Sequence, residues 1–448
     1  MKVFLQCSVL ILALFIGHLQ VKAQKKKEKE TPILIDDTYK AKLKVYLESG
    51  NFDNSFHGLH IYDLDSQKTV FEHHADRYFT PASNAKLFTY YLGVKMLKDS
   101  IANLRYIEKG DSLIFWGTGD PTFMHPVFKN TKAFHFLKNS DKKLFFSTSN
   151  YSDDHLGKGW AWDDFNTDHS MEKSPLPIYG NMVVFEGDES CQLRAYPAVF
   201  AKYAREDNEM DTRSFMIDRD LDENDFTYNI GNLSGNSSKK IPFRASPEFT
   251  ASLLSDTLGK PIGLINFPPP ANTKLLSGYP IRKLFRQMMH TSDNFLAEQI
   301  LLMCSESAFG TMETSSIIDY GQARYLKDLT SEPRWVDASG LSRYNLFTPR
   351  SFVELLIKLR AAVGEEELKY VLAEGGKSGT LRNRFEQIPG MVFAKTGTFS
   401  NNFCLSGYLY ARSGKKLAFS FMNNHYRVPV RVILQEVESI LTNFYLHY

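Results

Sequence analysis

The sequence has few cysteines and almost no net charge, and each of these features excludes some classes of protein. Only four of its 448 residues are cysteine, and the formal net charge is +2. A nearly balanced charge provides no strongly basic surface for nucleic acid. The sequence also lacks a phosphate-binding loop, a dinucleotide fingerprint and a zinc-type cysteine spacing. We therefore predict no nucleic-acid partner, no cofactor and no metal.

The cysteines do not indicate a disulfide framework. Cys7 falls in a predicted leader, and the other three, Cys191, Cys304 and Cys404, are scattered and odd in number. Such spacing predicts neither particular cysteine pairs nor a zinc site. We expect buried free thiols, with one disulfide as the alternative.

The first residues indicate export. Met1-Lys2-Val3-Phe4-Leu5 opens an apolar run that continues through Ile16, and Val21-Lys22-Ala23 places small residues where a signal peptidase inspects the chain. The run is shorter than the ~20 residues that a membrane span needs. Residues 1–23 are therefore predicted to be a cleaved signal peptide. No later segment is long and apolar enough to cross a bilayer, so we expect no integral membrane span after cleavage.

Secondary-structure patterns divide the mature chain into three parts. Periodic helices and alternating strands occur near both ends. Between them, short strand-like pieces alternate with Gly, Pro, Asn and Asp clusters. We predict an α+β domain in two parts, 24–98 and 275–448, split by a strand-rich accessory insertion at 99–274. The predicted elements near the two ends are helices at 38–49, 81–97, 281–304, 351–362 and 430–444, and strands at 58–64, 69–71, 391–398, 403–411 and 417–422.

Three short motifs stand in one order along the chain. They are Ser83-Asn84-Ala85-Lys86, Ser292-Asp293-Asn294 and Lys395-Thr396-Gly397. The order matches the SxxK, SxN and KTG set of serine acyltransferases. Each motif alone is weak, because the chain holds other SxxK and SxN copies. These begin at Ser140, Ser170, Ser237 and Ser413 for SxxK, and at Ser49, Ser234 and Ser400 for SxN.

Context favours one set over the other copies. Ser83 follows Pro81 at the start of a periodic helix, and Lys86 lies one turn further on the same side. A helix N-terminus favours negative charge developing on the serine oxygen. Lys395 lies on a predicted strand with an apolar partner strand, whereas the other copies lie in polar or proline-flanked segments.

The first motif and the third suit an enzyme that opens an amide through an acyl-serine. A serine hydroxyl is a poor nucleophile and needs a base within hydrogen-bond reach of it. Lys86 can be that base when burial or a second cation keeps its amine neutral. Lys395 would supply the second cation and could also bind a substrate carboxylate.

The remaining motif residues complete this scheme. We expect Ser292 to relay a proton to the leaving amine and Asn294 to hold the substrate amide. Thr396, Gly397 and Thr398 are candidate substrate-binding residues on the third motif. The backbone amides of Ser83 and Thr398 would stabilise the oxyanion.

One further segment looks like a set of metal ligands. Phe71-Glu72-His73-His74 lies at the edge of a predicted hairpin, with no further ligand close in sequence. Since a zinc site needs three or four ligands, we predict exposed polar side chains here instead.

Beyond the motifs, the chain resembles the low-molecular-mass class C penicillin-binding proteins, the D-alanyl-D-alanine carboxypeptidase/endopeptidase family. The segments that carry this resemblance are 79–87, 117–122, 337–345 and 378–385. The long gap between Lys86 and Ser292 is typical as well, because this family inserts accessory domains there. The match extends over nearly the whole mature chain.

The resemblance implies a fold and a substrate. The fold is penicillin-binding/β-lactamase-like, an antiparallel sheet with helices on both sides and the active site at the sheet edge. The implied enzyme is periplasmic and removes the terminal D-alanine of peptidoglycan stem peptides or cleaves their cross-links through an acyl-Ser83 intermediate. β-Lactam antibiotics are the implied inhibitors.

Two more residues are singled out by the resemblance alone. In relatives, an arginine in a Ser-Gly-Leu-Ser-Arg segment and an acidic residue after a Trp-x-Trp segment contact the diaminopimelate side chain. The matching positions here are Arg343 and Asp164. Taken without the resemblance, Arg343 could equally form a surface salt bridge and Asp164 a turn.

Two other functions are left open at this point. A serine β-lactamase shares the motifs but needs a deacylating base such as the class A glutamate, and we find no segment that resembles its loop. A catalytically silent peptidoglycan-binding scaffold would have no need of both lysines and both serines.

Overall fold

The computed structural model describes residues 35–187, 192–207, 209–210, 214–229 and 237–448. The predicted signal peptide and Cys191 lie outside the described residues. Cys304 and Cys404 are buried free thiols, as predicted. Among the described helices, none combines the length and the apolarity that crossing a bilayer requires.

The described part of the chain alternates helices and strands. The helices are α1 Asp37–Leu47, α2 Lys86–Met96, α3 Lys132–Lys138, α4 Pro247–Leu258, α5 Ile281–Thr291, α6 Asn294–Phe309, α7 Thr314–Gly321, α8 Pro349–Val363, α9 Glu365–Val371 and α10 Val430–His447. The strands are β1 Phe56–Asp63, β2 Lys68–His73, β3 Ser100–Lys109, β4 Ser112–Gly117, β5 Lys143–Ser147, β6 Met182–Gly187, β7 Leu193–Tyr196, β8 Ala204–Glu206, β9 Met216–Arg219, β10 Phe226–Asn229, β11 Ser237–Pro242, β12 Ile262–Leu264, β13 Lys274–Pro280, β14 Ala373–Glu374, β15 Val392–Phe399, β16 Asn402–Tyr410 and β17 Lys416–Asn424.

A six-stranded antiparallel sheet, in the order β14-β15-β16-β17-β1-β2, brings the two ends of the chain together. Its strands alternate between two cores, because successive side chains point to opposite faces. On β16, Leu405 and Leu409 pack with α1 and α10, whereas Cys404 and Tyr408 pack with α2, α6 and α8. Strands buried on both faces have few polar positions. The predicted α+β fold with helices on both sides of the sheet is confirmed.

Most predicted elements near the two ends lie within a few residues of the observed ones, and two predictions are corrected. The helix predicted from Pro81 begins as a 3₁₀ turn, Ala82–Ala85, and becomes α-helical only at Lys86. The helix predicted over 281–304 is two helices, because Ser292 adopts a left-handed backbone (φ 59°, ψ 37°) that ends α5. Asp293 then caps α6 by accepting a hydrogen bond from the Leu296 amide at 2.9 Å.

The middle of the chain forms separate sheets. A five-stranded mixed sheet has the order β12-β5-β4-β3-β13, and two three-stranded sheets have the orders β8-β10-β9 and β11-β6-β7. A third apolar core joins these strands to α3 and α4. The domain division remains a prediction, and its boundary at 274/275 falls within β13, which pairs with β3 in the five-stranded sheet.

The prediction of exposed histidines at the end of β2 is wrong for His73, which is only 9% exposed. His73 packs between His57 and His74, with ring centroids 5.2 and 4.0 Å away. His57 lies on β1, and Glu48 of the segment after α1 reaches the same cluster. Strand pairing thus brings together ligand-type residues that are far apart in sequence.

Candidate active site

The three motifs meet at the edge of the six-stranded sheet, where the Ser83 turn lies between two glycines. A Cβ on Gly340 would lie 1.9 Å from the Ala82 carbonyl oxygen. A Cβ on Gly397 of β15 would lie 2.6 Å from the Pro81 oxygen and 3.0 Å from the Ser83 nitrogen. Only glycine allows backbone to approach this closely. Both glycines therefore fix where the Ser83 turn can lie.

Lys86 lies in the first turn of α2, and its fully buried amine holds three contacts. Its Nζ lies 2.9 Å from Ser83 Oγ, 2.6 Å from Asn294 Oδ1 and 2.7 Å from the Ser339 carbonyl oxygen. The Asn294 amide is oriented by its other end, since Nδ2 donates to the His169 carbonyl oxygen at 2.9 Å. Two of the three partners of Lys86 can therefore only accept hydrogen bonds.

This arrangement determines where a neutral Lys86 would place its lone pair. A neutral amine has two N–H groups, and the Asn294 and Ser339 oxygens each require one. The remaining direction, along which the lone pair lies, is then toward Ser83 Oγ. The geometry can take the proton of the Ser83 hydroxyl, which is what a general base must do.

The second lysine lies beside the second serine. Lys395 Nζ on β15 is 2.9 Å from Ser292 Oγ and 2.6 Å from the Thr396 carbonyl oxygen. The left-handed backbone at Ser292 turns this side chain out of α5 toward the sheet. Non-glycine residues adopt that conformation at a cost of about 1–2 kcal/mol. The left-handed residue thus ends α5 and places the Ser292 side chain beside Lys395.

Burial lowers the pKa of both lysines, because it disfavours their charged forms. The pKa of Lys86 falls to about 8, although Asp337, Asp293 and Glu298 oppose that decrease. The pKa of Lys395 falls well below its usual range through burial and through the proximity of Lys86. Each amine therefore loses its proton at a lower pH than an exposed lysine would.

Two carboxylates hold the loop at residues 337–345, which follows α7 in the chain. Neither carboxylate was predicted from the sequence as a site residue. Asp337 accepts from the amides of Gly340 and Ser342, at 3.0 and 2.7 Å, and from Asn345 Nδ2 at 2.6 Å. Glu298 of α6 accepts from the Ser339 amide at 2.8 Å. These bonds hold the Ser339 carbonyl against Lys86. Glu298 could have been identified from the sequence, because it is an acidic residue within the apolar segment that forms α6. A buried carboxylate there needs a partner, since unpaired carboxylates are rarely buried.

The same loop positions the accessory segment that carries Asp164. Trp160 Nε1 donates to Asp337 Oδ2 at 2.8 Å, and the Arg343 amide donates to the Gly159 oxygen at 3.0 Å. Arg343 and Asp164 both line the cleft that contains Ser83. Both residues singled out by the resemblance therefore line the cleft.

The cleft has a volume of about 680 Å³. Ser83, Ser292, Asn294 and Thr398 line it, and the guanidinium of Arg343 lies 4.0 Å from the centre of the Phe399 ring. Asp168 and His169, which we did not predict, also line it and contact each other at 2.9 Å. Thr396 Oγ1 lies 2.9 Å from Thr380 Oγ1, which ties β15 to the 378–385 segment. All of the predicted site residues thus lie in or beside one cleft.

Comparisons with known proteins give a family and structural neighbours for the chain. The family model described as the D-Ala-D-Ala carboxypeptidase 3 (S13) family matches residues 39–442. Penicillin-sensitive carboxypeptidase A of Dictyostelium discoideum is 24% identical over 82% of this chain and 83% of its own length. The crystal structure of penicillin binding protein 4 (dacB) from Haemophilus influenzae has a TM-score of 0.74, with 20% identity over 88% of this chain and 97% of that chain. Its complex with a β-lactam has a TM-score of 0.68, with 18% identity and the same coverage.

Proposed function

The chain belongs to the D-Ala-D-Ala carboxypeptidase 3 (S13) family, and we propose that it releases the terminal D-alanine of peptidoglycan stem peptides through an acyl-Ser83 intermediate. The observation that carries the proposal is the contact of Lys86 Nζ with Ser83 Oγ. The same amine also contacts two oxygen acceptors, Asn294 Oδ1 and the Ser339 carbonyl. The predicted export signal supports a periplasmic location for this reaction.

The first step is attack of Ser83 Oγ on the carbonyl carbon of the penultimate D-alanine. Lys86 takes the hydroxyl proton, and the carbonyl oxygen becomes an oxyanion that the amides of Ser83 and Thr398 stabilise. When the C–N bond breaks, the proton that Lys86 accepted passes through Ser292 to the departing D-alanine amine, which leaves Lys86 neutral again. Water then hydrolyses the acyl-Ser83 ester, which releases the shortened peptide and restores the serine.

The terminal carboxylate of the substrate gives Lys395 its role in this scheme. In the described residues, burial and Lys86 alone shift the pKa of Lys395, and both lower it. A carboxylate that binds beside Lys395 would favour its protonated form. That positive charge would in turn favour the neutral form of Lys86, which the attack step requires. Thr396 and Thr398 would contact the same carboxylate from β15.

The direct test is mass spectrometry of the mature protein after exposure to benzylpenicillin and, separately, to a pentapeptide that contains diaminopimelate. We expect a lasting penicilloyl adduct on Ser83 and release of D-alanine, with neither in Ser83→Ala. Rapid turnover of penicillin without peptide cleavage would identify a serine β-lactamase instead. Absence of both adduct and turnover would favour the silent scaffold.

Acylation should depend on pH through Lys86. The neutral amine is the base, and its pKa is lowered to about 8 in the absence of substrate. A protonated Lys395 beside a bound carboxylate would lower that pKa further, so the first-order acylation rate at saturating penicillin should rise as pH increases from 5 and level off by about pH 8. Stopped-flow measurement with a fluorescent penicillin checks this profile. A rate that is constant from pH 5 to 9, or that falls across that range, would contradict Lys86 as the base.

Arg343 and Asp164 are proposed to bind the diaminopimelate side chain, the arginine its carboxylate and the aspartate its ammonium group. Among the described residues, neither side chain forms an ion pair that would occupy it. A charge-assisted hydrogen bond is worth about 1.5–3 kcal/mol, which corresponds to a roughly 10- to 100-fold change in rate.

Arg343→Ala should therefore lower kcat/KM by about 10- to 100-fold on a diaminopimelate pentapeptide. The same variant should lose little on a peptide with lysine in that position, which lacks the side-chain carboxylate, and little in penicillin acylation. Arg334→Ala is the matched control, since Arg334 is also exposed but does not line the cleft. Equal losses on the two peptides would show that Arg343 does not read this carboxylate.

A further inference from the structure

A cluster of three histidines and one glutamate lies outside the cleft and has no part in the proposed reaction. Its members are Glu48, His57, His73 and His74, and one ligand atom from each lies within 4.8 Å of the others. None of the four lines the cleft. We propose that this cluster is a structural zinc site.

The distances suit a tetrahedral ion. Zinc–nitrogen and zinc–oxygen bonds of about 2.0–2.1 Å place neighbouring ligands roughly 3.3 Å apart in a tetrahedron. Glu48 Oε1 lies 3.1 Å from His73 Nε2 and 3.9 Å from His74 Nε2. These two separations lie on either side of the tetrahedral value, and the ligand atoms of all four residues lie within 4.8 Å of one another, so side-chain shifts would bring them around a zinc ion.

His57 is the strongest single indication of a ligand, because it is buried and its ring nitrogens lack well-formed hydrogen bonds. The residue is 4% exposed, and neither ring nitrogen has a partner within ordinary hydrogen-bond distance and angle, although the Ser55 backbone lies near the ring. Buried polar atoms are normally satisfied, so one without a protein partner indicates a bound ion or water. Since one His57 nitrogen belongs to the cluster, a zinc ion there would satisfy it.

His73 shows the same feature in another form. Its Nε2 is buried and lies 3.1 Å from Glu48 Oε1, yet the two atoms do not form a hydrogen bond. Two ligands of one ion have this relation, since each directs its lone pair at the ion rather than at the other ligand.

His74 is oriented by its second nitrogen. Its Nδ1 lies 3.1 Å from the His57 carbonyl oxygen, which can only accept, so Nδ1 carries the hydrogen. The lone pair is therefore on Nε2, the atom that approaches Glu48. Metal-bound histidines commonly have such a bond from the nitrogen that does not bind the ion.

The donor set selects the metal and the role. Three imidazoles and one carboxylate suit zinc, whereas calcium and magnesium prefer oxygen ligands throughout. Four protein ligands fill a tetrahedron, so no position is left for a water or substrate, and such closed sites are structural. The ion would join the end of α1 to β1 and to the end of β2, and the chain continues from His74 toward the Ser83 turn.

The test uses the full mature chain without a polyhistidine tag, stripped with a chelator and titrated with zinc against a chromophoric competitor. The matched control is His60→Gln, which removes another buried histidine of β1, one whose Nε2 bonds Thr69 instead. We expect one tightly bound zinc per chain and a zinc-dependent rise in Tm for the unmodified protein and for His60→Gln. His57→Gln and His73→Gln should lose both effects. Cobalt bound to the unmodified protein should show the strong visible absorption of tetrahedral coordination.

Glu48→Gln keeps the proposal testable if a buried substitution prevents folding, because the Glu48 side chain is 56% exposed. This variant should retain penicillin labelling of Ser83 and bind zinc at least about tenfold more weakly. Absence of zinc binding in the unmodified protein would overturn the proposal and would show that the three histidines only pack against one another. Equal zinc affinity in Glu48→Gln and the unmodified protein would also overturn the site. Penicillin labelling is measured separately, so failure of the zinc site leaves the proposed function standing.

Discussion

Lys86→Met should reduce the rate constant for acylation of Ser83 by about 10²- to 10⁴-fold, the range that a positioned general base contributes. Methionine has a similar length but lacks the amine nitrogen whose lone pair would take the Ser83 proton. Penicillin should still bind without reacting, since Lys395 and β15 remain. The measurement is the second-order rate constant for a fluorescent penicillin, together with the dissociation constant of the non-covalent complex.

The same variant should fold normally, which separates a chemical role for Lys86 from a structural one. Removing the amine leaves the Asn294 and Ser339 oxygens without a donor, at a cost of about 1–3 kcal/mol. It also removes the desolvation penalty of a buried charge, and replacing buried charges with apolar side chains is often neutral or stabilising. We therefore expect a Tm close to that of the unmodified protein.

Lys95→Met is the control for substitution within α2, because Lys95 is exposed on the same helix. It should acylate at the normal rate. If Lys86→Met reacted within tenfold of the unmodified protein, the base would have to be another group, and the lone-pair argument would be wrong.

The predictable part of this structure is the part that local patterns determine. The strands β15, β16 and β17 were visible as apolar segments because both faces are buried, and the helices α8 and α10 were visible through their periodicity. The motif serines and lysines could be predicted because their order along the chain matches a known set. In the structure the motif residues lie in or beside one cleft, and their catalytic roles remain proposals.

The unpredicted part depends on contacts between distant segments. Nothing near Ser292 in the sequence marks a left-handed residue, so periodic residues on both sides were joined into one helix. Asp337 organises its loop through hydrogen bonds to backbone amides, which carry no signal in the sequence. The histidine cluster was dismissed because Glu48 and His57 lie outside the His73-His74 segment, and only the pairing of β1 with β2 and the position of α1 bring them together.

Gly397→Ala should lower the acylation rate by up to about 10²-fold while leaving the fold in place. The new Cβ would lie 2.6 Å from the Pro81 oxygen, 2.9 Å from the Asn84 nitrogen and 3.0 Å from the Ser83 nitrogen. All three are backbone atoms, so the Ser83 turn or β15 must move. A displacement of about 1 Å at reacting groups can cost 10²-fold, and the Ser83 amide is also a proposed oxyanion donor.

The loss should therefore appear in the chemical step, with non-covalent binding of penicillin changed less than the acylation rate. Overpacking of this kind costs typically about 1–3 kcal/mol in stability, which a modest decrease in Tm would report. Gly278→Ala is the matched control, because its Cβ would meet only the side chains of Lys132 and Asn103, away from the cleft. Normal acylation by Gly397→Ala would mean that β15 does not press on the Ser83 turn. Gly397 would then not be needed for the close approach of β15 to the Ser83 turn.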